Sequence, residues 1–203
     1  MGRYEKAVAS YDKALEYKTD YYFAWLDKAS LQSRMGRGKD AIYSYDKVLE
    51  IQPNHYGACH RRAVVLSMID RYEEAMIGFK KAIELKTGRV SAISWAYLGV
   101  TLGRLDRNEE SLVYFEKAIE ITSGKEHFVW CGQVIPLLKL GRFKDAFISI
   151  YQCFFSVFSG LDVGLIERVE QRIAIQLTKL GLRKLVPVWT RFLHSIGWKF
   201  KEW

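Results

Sequence analysis

Histidines, cysteines and neighbouring carboxylates are the residues of this chain from which chemistry would be built. His55 and His60 stand five apart, and neither they nor His127 and His194 have a cysteine or carboxylate at the spacing a metal site needs. Cys59, Cys131 and Cys153 are odd in number, widely spaced and set among apolar neighbours in helical patterns. That usage is expected of buried free thiols in a reducing compartment, not of a disulfide or metal ligands. "GRGKDA" at 36–41 has glycines but lacks the four-residue spacing and the Gly-Lys-Ser/Thr ending of a phosphate loop. No G-x-S-x-G or H-E-x-x-H stands in the chain. Glu73–Glu74 and Glu109–Glu110 fall in first turns of expected helices, where acids favourably meet the dipole. These residues predict no enzyme, no cofactor and no metal, so function is expected to come from a surface.

The elements that carry that surface follow from composition and period. The chain has 203 residues, 49% hydrophobic and 27% charged, ordinary for a folded soluble protein. Its three prolines, at 53, 136 and 187, leave most of it free to be helical. "MGRYEKAV" is charged and lacks the apolar core of a secretory signal, and Lys6 stands where myristoylation wants Ser or Thr. The most apolar run, 146–158, is too short to cross a bilayer and is expected to be a buried helix. No transmembrane segment and a cytoplasmic location are the expectations.

A phrase recurs along the chain: "MGRYEKAVASYDKALEY", then "MGRGKDAIYSYDKVLEI" at 35 and "IDRYEEAMIGFKKAIEL" at 69. Aligned on a small residue, Ala7, Ala41, Ala75, Ser111 and Ala146 form one column. Four residues later come Tyr11, Tyr45, Phe79, Phe115 and Ile150, and three further Ala14, Val48, Ala82, Ala118 and Cys153. These offsets keep all three positions on one helical face. Gly2, Gly36, Asp70, Asp106 and Gly141, five residues before each small residue, mark the turn entering that helix, and "IQPN", "KTG" and "TSG" stop it. Ahead of it lies another helix, with Trp25, Cys59, Trp95 and Trp130 as anchors and Ala29, Ala63, Gly99 and Val134 one turn on. Gln32, Leu66, Leu102 and Leu137 complete that second stripe.

These columns resemble the tetratricopeptide repeat across residues 1–155. The departures are Cys59 as anchor in unit three, Ser111 in unit four, and Val134 with Pro136 in unit five, where the proline should bend the helix. The resemblance implies an all-α fold, a right-handed superhelical α-solenoid of helix-turn-helix units capped by C-terminal helices. The array is expected over 1–155, as the second helix of unit one and hairpins at about 22–51, 56–86, 92–121 and 127–155. A divergent hairpin is expected to cap it over 156–203, its stripes carried by Leu165, Ile166, Val169, Ile173, Leu177 and Leu180, then Leu185, Val186, Trp189, Phe192, Leu193 and Ile196.

The resemblance also implies a scaffold that binds a protein or peptide in the groove lined by each unit's first helix. The residues expected there are Leu26, Ser30 and Arg34; His60, Arg61 and Val64; Tyr97, Val100 and Arg104; and Ile135, Leu138 and Lys139. The Lys and Asn pair with which chaperone-tail-binding members grip a terminal carboxylate is absent. At units four and five either an amphipathic partner helix or the chain's own tail could fill the groove. The segment 179–203 has six Lys and Arg against Glu202, interleaved with Trp189, Trp198, Phe200 and Trp203, so nucleic acid or an anionic membrane surface is the alternative partner. Unit one has only its second helix, which leaves open a longer array, a truncated product, or self-association through that incomplete unit.

Overall fold

The computed structural model describes residues 2–124 and 126–158. Over these the chain is helical: α1 (Gly2–Tyr17), α2 (Tyr22–Arg34), α3 (Gly38–Ile51), α4 (Tyr56–Met68), α5 (Tyr72–Leu85), α6 (Arg89–Arg104), α7 (Asn108–Thr122), α8 (His127–Lys139) and α9 (Phe143–Phe158). The expected C-terminal hairpin and its basic aromatic tail lie outside the described residues. α2, α4, α6 and α8 are first helices; α3, α5, α7 and α9 are second helices. Each packs mainly on its chain neighbours, and successive first helices also touch, as a stacked array of hairpins requires.

The turn inside each hairpin has one construction. Gly36, Asp70, Asp106 and Gly141 all have positive φ, between 58° and 74°. Glycine adopts that region freely and aspartate is among the few side chains that tolerate it. The left-handed residue lets the next amide, on Arg37, Arg71, Arg107 and Arg142, return to the carbonyls of Gln32, Leu66, Leu102 and Leu137 at 2.9–3.0 Å. Each of these arginines then holds an acid three residues on: Asp40, Glu74, Glu110 and Asp145, at 2.6–2.8 Å. The acid therefore sits in the first turn of the second helix, against the positive end of its dipole.

The expected stripes are the core. Ala41, Val48, Ala75, Phe79, Ala82, Phe115 and Ala118 are fully buried, as are Ala29, Ala63, Leu66 and Leu102. In α1 the same stripe is only half-buried at Ala7, Tyr11 and Ala14, because α2 alone covers it; Val8 and Leu15, facing α2, are the buried residues. Gln32 occupies a leucine column yet is buried, since its side-chain oxygen accepts from the Ser44 hydroxyl at 2.7 Å. Pro136 lies inside α8 and packs on α6, where a Cβ added to Gly103 would meet it at 3.4 Å.

The cysteines need a correction. Cys131 and Cys153 are joined in a disulfide between α8 and α9, with Cα atoms 5.6 Å apart, and only Cys59 is a free, buried thiol. Twenty-two residues separate the pair in sequence, but the hairpin brings the two helices together and sets these positions opposite. With two of three cysteines paired, cysteine usage no longer argues for a reducing compartment. No described helix is long and apolar enough to cross a membrane.

Candidate partner-binding face of the first helices

The residues expected to line the groove lie on α2, α4, α6 and α8, and several meet across the steps between units. Ser30 on α2 donates its hydroxyl to the Leu26 carbonyl at 2.9 Å and receives Arg61 Nη1 from α4 at 3.1 Å. His60 on α4 places Nδ1 2.9 Å from Ser94 Oγ on α6, and its ring stands edge-on to Tyr97, centroids 5.4 Å apart. Tyr97 in turn stacks on Phe79 at 5.7 Å. Burial, with the Arg61 charge beside it, lowers the His60 pKa to about 4. The imidazole is therefore neutral near pH 7 and serves as a hydrogen-bonded link between units. His55 is likewise in structural use, accepting from the Ala58 amide at 3.0 Å as the cap of α4.

Other expected residues are divided between packing and exposure. Leu26 and Val64 pack against the core. Tyr97 and Val100 on α6 are each 39% exposed, and Ile135 and Leu138 on α8 are 63% and 44% exposed. Because α6 begins at Arg89, Ile93 falls four residues before Tyr97 and extends this apolar row by one turn, 41% exposed. Arg34 and Arg104 are exposed in the last turns of α2 and α6. Lys139 is not free: it pairs with the Asp106 carboxylate of the preceding unit's turn.

Sequence reasoning missed Ser94 and Tyr56, and it read Asp106 as a turn residue without its pairing to Lys139. Tyr56 donates to the Val90 carbonyl at 2.8 Å and lies 3.2 Å from Ser94 Oγ. A signal for all three exists in the chain: these contacts join residues 33–38 apart, close to one repeat. Like helices stacked side by side place residue i near i+34. Two concavities lie elsewhere. One of about 600 Å³ sits at the α3–α4 turn beside Pro53 and Lys86; one of about 370 Å³ lies among α7, α8 and α9 over Trp130 and Gln133. None of the expected groove residues lines either concavity.

Comparisons with known proteins agree with this architecture. A tetratricopeptide repeat family model matches residues 1–21, 24–55 and 92–124. The unmatched hairpins are those that depart at Cys59 and at Val134 and Pro136. Similar solved structures include MamA, 20% identical with a TM-score of 0.70, covering 78% of this chain and 91% of that one. PilW, described as a widely conserved type IV pilus biogenesis factor, is 19% identical with a TM-score of 0.72, covering 95% and 85%. YrrB, described as a TPR protein with an unusual peptide-binding site, is 21% identical with a TM-score of 0.59, covering 72% and 74%. Comparison with curated proteins finds no match. Period, turn geometry, helix order and the three matched stretches converge on one architecture: over the described residues the chain has the tetratricopeptide-repeat fold, an all-α array of helical hairpins.

Proposed function

We propose that the chain is a non-enzymatic scaffold that holds a peptide or a partner helix on the face formed by its first helices. The observation that carries this reading is the row Tyr97, Val100, Ile135 and Leu138, four exposed apolar residues on two first helices that touch. On α6 and on α8 each pair stands three apart, so each pair lies on one face of its helix. Apolar residues scattered singly are normal on a surface, whereas a continuous row marks a site of contact. A peptide-binding site described for YrrB, a protein of the same fold, is in keeping with it. The exposed link Ser30–Arg61 and the half-buried link His60–Ser94 support the reading by joining successive first helices beneath a ligand.

The test uses the full chain as bait in extract of its native cell. Tyr97→Asp and Ile135→Asp are expected to lose the captured partner. Ile77→Asp, which places the same charge at an exposed position on second helix α5, is expected to keep it. Undiminished capture by the first two variants would overturn the assignment.

A further inference from the structure

Acidic residues are segregated between the two kinds of helix. Second helices α3, α5 and α7 carry Asp40, Asp46, Glu50, Glu73, Glu74, Glu84, Glu109, Glu110, Glu116 and Glu120. The first helices α2, α4, α6 and α8 carry a single acid, Asp27, which is turned to α1 and accepts from the Tyr11 hydroxyl at 3.4 Å. The arginines divide into paired and unpaired. Arg37, Arg71, Arg107 and Arg142, at the starts of second helices, each hold a carboxylate, as do Arg62 and Arg89 on first helices α4 and α6. Arg34, Arg61 and Arg104, on first helices, hold none among the described residues.

The helix dipole accounts for a basic residue in a last turn, which covers Arg34 and Arg104. It does not account for Arg61, the sixth residue of α4, with most of that helix still to come. The Ser30 hydroxyl takes one Arg61 donor at 3.1 Å and so aims the guanidinium along the step between units. A guanidinium has five donors in a planar fork that matches a carboxylate, so most of this capacity is unspent. Arg104 stands seven residues after Tyr97 and four after Val100, on the same face as the apolar row.

We propose that the partner held on the first-helix face is an acidic amphipathic peptide segment, with apolar side chains on the Tyr97–Val100 and Ile135–Leu138 row and carboxylates on Arg61 and Arg104. This rests on the scaffold reading above and specifies the chemistry of its ligand. Charge also argues against the segment 179–203 as the occupant, since it has six Lys and Arg against one acid and would meet like charge there.

Three labelled helix-forming peptides test it, sharing one leucine stripe and differing only in Glu, Gln or Lys beside it. Their binding to the full chain is followed by fluorescence anisotropy at low and high salt. The Glu peptide is expected to bind about tenfold or more tighter than the Lys peptide at low salt, with the difference shrinking as salt rises. The double variant Arg61→Glu, Arg104→Glu, checked for unchanged helicity, is expected to reverse that order and leave the Gln peptide's affinity unaltered. Equal binding of the Glu and Lys peptides, with Ile135→Asp abolishing both, would overturn the acidic partner and keep the scaffold reading. Preference for the Lys peptide would overturn it and point to the chain's own basic segment. Failure of all three to bind would overturn both readings.

Discussion

His60 Nδ1 and Ser94 Oγ lie 2.9 Å apart across the step from α4 to α6, so one imidazole ties two successive first helices. Its folded-state pKa of about 4 lies below the ordinary 6.5 because burial, then the Arg61 charge, disfavour the imidazolium. The unfolded chain therefore binds the proton first. Stability is full above pH 6.5 and falls as pH drops from 6.5 toward about 4, by a total of about 3 kcal/mol from this residue. Urea unfolding across that range is expected to show a shallower pH slope in His60→Phe than in the parent chain. Equal slopes would remove His60 as the source.

Gly132 on α8 lies against Phe115 of the preceding unit: a Cβ added there would come within 2.5 Å of the ring. Phe115 is fully buried and also touches Gly99 within its own hairpin, so its ring has little room to yield. Gly132→Ala is expected to cost about 1–3 kcal/mol by overpacking. Phe115→Leu should recover part of that loss in the double variant, and strictly additive costs would contradict the contact.

The buried pair Gln32 and Ser44 offers a test of polar satisfaction. Ser44→Ala leaves the Gln32 oxygen without its donor and is expected to cost about 1–3 kcal/mol. Adding Gln32→Leu removes the stranded group and restores the leucine of the other units. The double variant should therefore approach parental stability in chemical denaturation, and a double variant weaker than Ser44→Ala would refute this.

Thiol titration checks the cysteine assignment. Burial pushes the Cys59 thiol above its ordinary pKa, so it is expected to resist alkylation in the folded protein. In denaturant without reductant one thiol per chain should react, and after reduction all three. Three reactive thiols before reduction would exclude the Cys131–Cys153 bond from the purified protein.

The sequence by itself determined the unit and its punctuation. The columns led by Ala41, Tyr45 and Val48 became the buried stripes, because spacing of four and three is a property of one helix and needs no knowledge of its neighbours. Gly36, Asp70, Asp106 and Gly141 became the left-handed turn residues for an equally local reason, the steric freedom at a single φ. Tertiary structure decided what depends on how one unit lies on the next: the Cys131–Cys153 bond, the pairing of Lys139 with Asp106, and the link from His60 to Ser94. It also decided which expected groove residues are exposed, leaving Tyr97 and Ile135 open while Leu26 and Val64 pack on the core. Those outcomes rest on the rotation and offset between stacked hairpins, which no single helix encodes.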